Sequence, residues 1–440
     1  LSAAIRLASM GFKVSLFEKN QSLGGKMNQS INGAFRFDTG PSLLTMPFVV
    51  DELFHFAGAD RQALLDFLPI DPICQYFYSD GTRFNARMNI SEMLDELERT
   101  FPQEKQSYQP FLDYTKKIFD TSAEVFLFTP MHEISKLINL KTFFLLFKAY
   151  QIDPFRTVDQ AVKRYFRDPR LVQIFNRYST YNGSHPFKAP ATLNIIPYVE
   201  NVLGGYYIRG GMYRLVEEME KLAVSLGVKI FTETEVQKIE HHAKQIKGLR
   251  INNDMIPFEY VVCNADVVEA FDKLIEGQDK STRKLRSLEP SLSGLVFLWS
   301  VKGNYSDLEH HNILFSNDYQ SEFSQIFDKL EPPDDPTVYI AISSKSDADH
   351  APQGNENWFV LINMPYLTGN EDWPEAIDRL RQSVLQKLSD HKVSIAGNII
   401  NEEVLTPQDF YRLYRSKRGS IYGLSSNSPT TAFTRPRNRS

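Results

Sequence analysis

The sequence predicts an α/β fold in which a Rossmann-like nucleotide-binding domain is interleaved with an α+β domain and a helical region. Three observations predict it. Residues 1 to 10, LSAAIRLASM, space small and apolar side chains for a helix packed closely on a sheet. After Gly11, placed as a helix stop, the run Phe12 to Phe17 is a nearly continuous apolar strand, the pattern of a parallel strand buried on both faces, and it ends in Glu18. The order turn, helix, strand returns in GGYYIRGGMYRLVEEMEKLAVSLGVKIFTETEVQKI, where Gly227 ends a helix and Val228 to Phe231 forms the strand. Helix, glycine, strand and acid make the back half of a dinucleotide-binding βαβ unit. Its first strand and glycine turn are expected before Leu1, so the sequence, which does not open on Met, reads as a fragment.

The remaining elements follow in order. Residues 43 to 125 read as mostly helical, interrupted by PICQYFYSDGTRFNA, which alternates and turns at Asp80-Gly81. Residues 126 to 180 read as helical and aromatic-rich, with Pro130 and Pro154 as breaks. A further apolar strand is expected over Tyr260 to Cys263, running into Asn264-Ala265-Asp266. Strands near 293 to 302, 337 to 343 and 357 to 364 suggest a second sheet, with EPPDDP (331 to 336) as a surface loop. There is no internal repeat and no low-complexity tract.

Composition narrows the function class. With 440 residues, 42% hydrophobic and 23% charged, the chain is too long for one small core, and two intertwined domains are expected. A formal net charge of -5 gives no basic field for nucleic acid. Cys74 and Cys263 are the only cysteines, which excludes a disulfide scaffold and a multi-cysteine metal site and fits a reducing compartment. No window of about 18 uncharged apolar residues calls for a spanning helix. Residues 134 to 150, ISKLINLKTFFLLFKAY, mix Leu, Ile and Phe with Lys136, Lys141 and Lys148, the composition either of a helix lying in a membrane interface or of a buried amphipathic helix with snorkelling lysines. Peripheral attachment is the expectation adopted.

The chemistry-bearing residues cluster early. An acid closing the second strand of such a unit accepts from a ribose hydroxyl, the place of Glu18, although an acid after a strand is also an ordinary solvated residue. Gly24, Gly25 and Lys26 follow: paired glycines let backbone N–H groups approach a pyrophosphate, and the lysine adds charge. Next comes the stiff turn Phe37-Asp38-Thr39-Gly40-Pro41-Ser42, either a plain surface turn or a loop threaded under a cofactor ring. Arg177, Tyr181, Asn182 and His185 share one motif and either orient a substrate hydroxyl or move a proton, or else brace the local helix. The pair His310 and His311 raises the thought of a metal, but adjacent histidines on an extended segment point to opposite faces and have no acid or cysteine at ligand spacing, so no metal is expected.

Taken together, these motifs resemble the carotenoid (phytoene) desaturases of the flavin amine-oxidase superfamily. The blocks that carry the resemblance are LSAAIRLASMGFKVSLFEKN, LGGKMNQSINGAFRFDTGPSLLTMPFVVDELF, RYSTYNGSHPFKAPATL, GGYYIRGGMYRLVEEM, Thr234-Glu235-Val236, VVCNAD, SGLVFLWSVKG, TPQDFYRLYRSKRGSIYGL and FTRPRNRS, so it spans essentially the whole chain. RYSTYNGSHPFKAPATL, together with His310-His311-Asn312-Ile313 and PPDDPTVYIAIS, is nearest to the hydroxycarotenoid 3,4-desaturase branch. The resemblance implies FAD, with Glu18 at the adenosine ribose, Gly24, Gly25 and Lys26 along the diphosphate, Val236 at the adenine, and Lys19 also among the cofactor-binding residues. It also implies that Asp38, Gly40, Pro41, Ser42, Gly210, Gly211 and Met212 approach the flavin. It divides the chain into an FAD-binding part at 1 to 75, a helical membrane-associating substrate region at 76 to 200, a second FAD-binding part at 201 to 290, a substrate-domain sheet at 291 to 415, and the start of a C-terminal FAD-binding segment at 416 to 440.

The function so implied is desaturation of an acyclic carotenoid such as phytoene or a 1-hydroxycarotenoid. A polyene gives up a hydride and a proton, and only a flavin, not a side chain, takes the hydride. Two alternatives stay open: another flavin enzyme of the superfamily, such as a carotenoid isomerase, a saturase or an amine oxidase, and a non-catalytic scaffold that binds isoprenoids. The partners expected are the polyene and the inner face of the cell membrane, with self-association open; the location expected is cytoplasmic and peripheral.

Overall fold

The computed structural model describes residues 1–123, 149–242, 245–275, 279–428 and 431. Along the chain run β1 (Ser15–Phe17), β2 (Gln29–Asn32), β3 (Phe35–Asp38), β4 (Phe67–Pro69), β5 (Cys74–Phe77), β6 (Arg83–Ala86), β7 (Tyr206–Ile208), β8 (Lys229–Phe231), β9 (Lys238–His242), β10 (Gln245–Ile251), β11 (Asp254–Pro257), β12 (Ser293–Lys302), β13 (His311–Leu314), β14 (Val338–Ala341), β15 (Asn355–Met364) and β16 (Ile399–Leu405).

The opening unit forms as its residues dictate. Ala4 and Ile5 of the helix Ser2–Ser9 are buried against Ala223 and Val228, small side chains allowing close approach to the helix Arg214–Ser225 and its exit strand. Gly11 follows the helix at φ +88, a conformation that glycine adopts without strain. β1 then pairs in parallel with β8, Phe17 opposite Phe231 with ring centroids 5.1 Å apart. The strand is shorter than Phe12 to Phe17: Phe12 is 52% exposed and only the last three residues find a partner strand.

A seven-stranded sheet, ordered β16-β12-β15-β14-β13-β5-β6, dominates the second half. β12 is buried from Ser293 to Val301, and its side chains alternate with the period of two that a strand imposes. Leu295, Phe297, Trp299 and Val301 face one core with Leu380, Val384 and Leu388 of the helix Trp373–Asp390. Val296 and Leu298 face the other way, onto Phe35 and Phe37 of β3. Each fully buried large apolar side chain contributes roughly 1.5–3 kcal/mol of transfer free energy. This double burial therefore fixes where the β2–β3 hairpin lies, and with it the turn that follows β3.

The Asp80-Gly81 turn is as expected, Asp80 Oδ1 accepting the Thr82 N–H at 2.9 Å, with Gly81 at φ +85. β6 alternates as expected, with Phe84 and Ala86 buried and Arg83 and Asn85 half-buried, but all four β5 residues are buried, because β5 lies inside the sheet between β13 and β6. Residues 260 to 263 form no strand. Tyr260 and Val262 are 79% and 64% exposed, and no described strand pairs with them, so their apolar content does not produce a ladder. No described helix is long and apolar enough to cross a membrane. Residues 134 to 148 of the amphipathic stretch lie outside the described residues.

Candidate functional site

At the carboxyl end of β1 the backbone of Glu18 is clamped from both sides, its N–H donating to Phe231 O at 2.9 Å and its carbonyl accepting from Thr234 N at 2.8 Å. Glu18 Oε1 accepts the Asn20 N–H at 2.9 Å, which orients the carboxylate. Lys19 turns away to donate to Asn20 Oδ1 at 2.9 Å and to Arg412 O at 3.0 Å. Val236 is half-buried beside Phe17, Ile239 and Leu249.

The two loops expected beneath a cofactor are in contact. Gly24 is at φ +103, and a Cβ there would meet Met27 O at 2.3 Å and Val216 Cγ2 at 2.9 Å. A Cβ on Gly40 would meet Lys26 O at 1.9 Å, so the Asp38–Ser42 turn rests directly on the backbone of the glycine loop. Gly25 adopts φ +60 with open space around it, and Pro41 is exposed. Lys26 donates to Ile421 O, and burial pulls the pKa of its ammonium down.

Gly210 and Gly211, at φ +85 and +98, follow β7. The Gly210 N–H donates to Asp347 Oδ2 at 2.6 Å, and Met212 is buried beside Phe54 and Tyr207. A Cβ on Gly211 would lie 3.1 Å from Arg36 Nη2 and 3.2 Å from Asp38 Oδ1. Those two atoms and Arg36 Nε are buried and make no hydrogen bond within the protein. Buried polar groups are ordinarily paired, so a free donor set and a free acceptor flanking a glycine lane suit a ligand with both acceptors and donors, as a flavin ring has. The residues present fit that group.

Beside this lane a small recess of about 10 Å³, room for about one water, is bounded by Phe37, Asp38, Ser42, Tyr207, His310 and Asn357. Tyr207 donates to Asp38 Oδ2 at 2.9 Å. Asn357 Nδ2 donates to Ser343 Oγ at 2.7 Å, and Ser343 Oγ lies 2.8 Å from His350 Nδ1. His310 and His311 do not point to opposite faces. Their rings are 4.3 Å apart and both are buried, because His310 sits at a bend before β13 rather than in its pleat. Among the described residues no cluster of three potential metal ligands occurs.

Arg177, Tyr181 and His185 lie apart from the recess, against a separate core that contains Tyr76, Tyr178, Phe323 and Phe327. Arg177 Nη2 donates to Tyr76 Oη at 2.8 Å and to Glu200 Oε1 at 3.2 Å; Tyr178 donates to the same carboxylate at 2.9 Å, and so does Tyr181. His185 Nδ1 accepts the Phe187 N–H at 3.2 Å, and its ring packs against Phe323 and Phe327. Burial, then the nearby Lys188, pushes the His185 pKa down to about 4. Sequence reasoning missed Arg36, Tyr207, His350 and Glu200. Only Arg36 carried a visible signal, a cation between two core-facing phenylalanines on a short strand.

Known proteins resemble this chain along most of its length. Residues 1–389 match the family of flavin containing amine oxidoreductases. The chain is 35% identical over 436 residues to a 1-hydroxycarotenoid 3,4-desaturase of Flavobacterium sp. (strain P99-3), covering 99% of this chain and 88% of that protein. It is 36% identical to a 4,4'-diapolycopene oxygenase of Methylomonas sp, covering 96% and 86%. Among solved structures, putrescine oxidase bound to putrescine shares the fold at a TM-score of 0.59 and 11% identity, covering 99% of this chain and 88% of that one. An oxidoreductase from Methanosarcina mazei does so at 0.56 and 15%, covering 92% and 84%. With its strand-end carboxylate, its paired glycine loops and this match over most of its length, the chain belongs to the flavin containing amine oxidoreductase family and is an FAD-dependent oxidoreductase.

Proposed function

We propose that the protein is a carotenoid desaturase that introduces C=C bonds into an acyclic carotenoid such as phytoene or a 1-hydroxycarotenoid. The observation that carries this reading is the 35% identity, over 99% of the chain, to a relative named for that reaction.

In this reading Glu18 accepts from the adenosine ribose and the glycine loop at 24 to 26 lies along the diphosphate. Arg36, Asp38 and the Gly210-Gly211 lane hold the ring. Bound flavin supplies the hydride acceptor that no side chain offers. The chain's own task is positioning: buried walls exclude water and hold one allylic C–H in line. Attachment to the inner face of the cell membrane, supported by the Leu, Phe and Lys content of residues 134 to 150, brings the enzyme to a substrate dissolved in the bilayer.

A second reading, oxygenation of a carotenoid, is favoured by the 36% identity to the diapolycopene oxygenase. Expression of the full gene in a host that accumulates acyclic carotenoids separates the two. Desaturation removes pairs of hydrogens from the product mass and moves absorption to longer wavelength, whereas oxygenation adds oxygen. An unchanged pigment with phytoene and with a hydroxylated acyclic carotenoid rejects both.

A further inference from the structure

We propose that His310 Nε2 is the base that takes the substrate proton, its ring held by Ser346 at the wall of the recess beside the flavin lane; the inference rests on the desaturase reading. His310 is 4% exposed, and its Nε2 is buried with no hydrogen-bond partner. Nδ1 lies 2.6 Å from Ser346 Oγ, which fixes the ring hydrogen on that side when the imidazole donates to the hydroxyl. Tyr207 packs edge-on against the ring with centroids 4.8 Å apart, so the imidazole is locked in orientation. A buried nitrogen without a partner is costly and calls for an explanation, a reactive role or a bound group among them.

The neighbouring groups are less suited. His350 Nε2 is also buried without a hydrogen-bond partner, but His350 is not among the side chains that bound the recess, and its Nδ1 lies 2.8 Å from Ser343 Oγ. His311 directs both ring nitrogens at backbone carbonyls, Ile73 O at 2.9 Å and Ser42 O at 3.3 Å, leaving no lone pair open to the recess. Asp38 gives Oδ2 to Tyr207 and turns Oδ1 to the Gly211 lane. Burial, with His311 and His350 adding to it, holds His310 neutral, the state that can accept a proton.

The step balances. One carbon loses hydrogen with its electron pair to the oxidised flavin that the family binds, and the adjacent carbon loses a bare proton to Nε2. The C–H electrons left behind close the C=C bond. The substrate is oxidised by two electrons, the flavin is reduced by two, and the imidazolium returns its proton to water.

The test uses flavin-loaded full-length wild type, His310→Ala and His310→Asn, the Asn amide keeping a partner for Ser346 while removing Nε2. Flavin content and single-turnover product per flavin are measured with and without added imidazole. The expected result is unchanged flavin content, a loss of turnover of about a hundredfold or more in both variants, and recovery by imidazole in the Ala variant alone. Turnover near that of wild type in either variant, loss without imidazole recovery, or loss of flavin overturns the assignment. If wild type itself forms no desaturated product, the functional reading fails and takes this inference with it; if wild type is active and the variants match it, this inference alone fails.

Discussion

Tyr207 and Asp38, 169 positions apart, are joined by a buried hydrogen bond of 2.9 Å from the phenol to Oδ2, which leaves Oδ1 free toward Gly211. One contact thus ties β7 to the end of β3 and sets the direction of the Asp38 carboxylate at the glycine lane. Tyr207→Phe should lower stability by about 1–3 kcal/mol, because Asp38 then keeps neither partner. Urea unfolding should show a lower midpoint at unchanged slope, together with less bound flavin. An unchanged midpoint would remove the contact from the account.

Glu18 is the carboxylate placed at the end of β1, pre-oriented by the Asn20 N–H. Glu18→Ala in the protein expressed from its full gene should weaken flavin binding by roughly 1.5–3 kcal/mol, about ten- to a hundredfold in Kd. Flavin retained through gel filtration at the wild-type ratio would contradict the ribose assignment.

The Arg177–Glu200 pair is buried on both sides, with side-chain exposures of 7% and 1%. Arg177→Leu strands a carboxylate that only tyrosines then satisfy, at a cost of about 3–5 kcal/mol. Removing both charges together as Arg177→Leu with Glu200→Leu should cost less than the sum of the single changes, because no charge is left unpaired. Additive losses in denaturant unfolding would argue that the two side chains do not act as a pair.

Acid should destabilise the fold through His185. Its folded pKa is pushed down to about 4, against about 6.5 when unfolded, so between those values only the unfolded chain binds the proton. The stability present above pH ~6.5 is lost as pH falls toward ~4, by up to about 3 kcal/mol. Glu322, buried and pushed up to about 7, acts in the opposite sense, binding a proton when folded and favouring the fold as pH falls. His185→Asn removes this contribution, so the wild-type minus variant stability difference should fall as pH drops from ~6.5 toward ~4. A difference that does not change with pH contradicts the shift.

The sequence was most legible where local chemistry decides. Gly11 and Gly227 sit at positive φ where helices were expected to stop, and β12, β14 and β15 lie where apolar runs were read. It was least legible where pairing decides. Tyr260 to Cys263 has strand composition but no described partner, while β5 and β6 joined the large sheet through a parallel contact of Asn312 with Gln75 that no local pattern announces. The site divides the same way. Glycine loops advertise themselves by residue type, but Arg36, Tyr207 and His350 matter because of what folding places beside them. His310 and His311 were misjudged because strand geometry was assumed one residue too early.

In the desaturase reading, a carotenoid's electrons leave through the flavin that this family of oxidoreductases binds. The most direct measurement mixes purified flavin-loaded protein with an acyclic carotenoid in the absence of oxygen and follows the oxidised flavin absorbance while the product is quantified. The account predicts bleaching in step with double-bond formation, one flavin reduced for each bond. Product formed while the flavin stays oxidised, or neither change with any acyclic carotenoid, would contradict it.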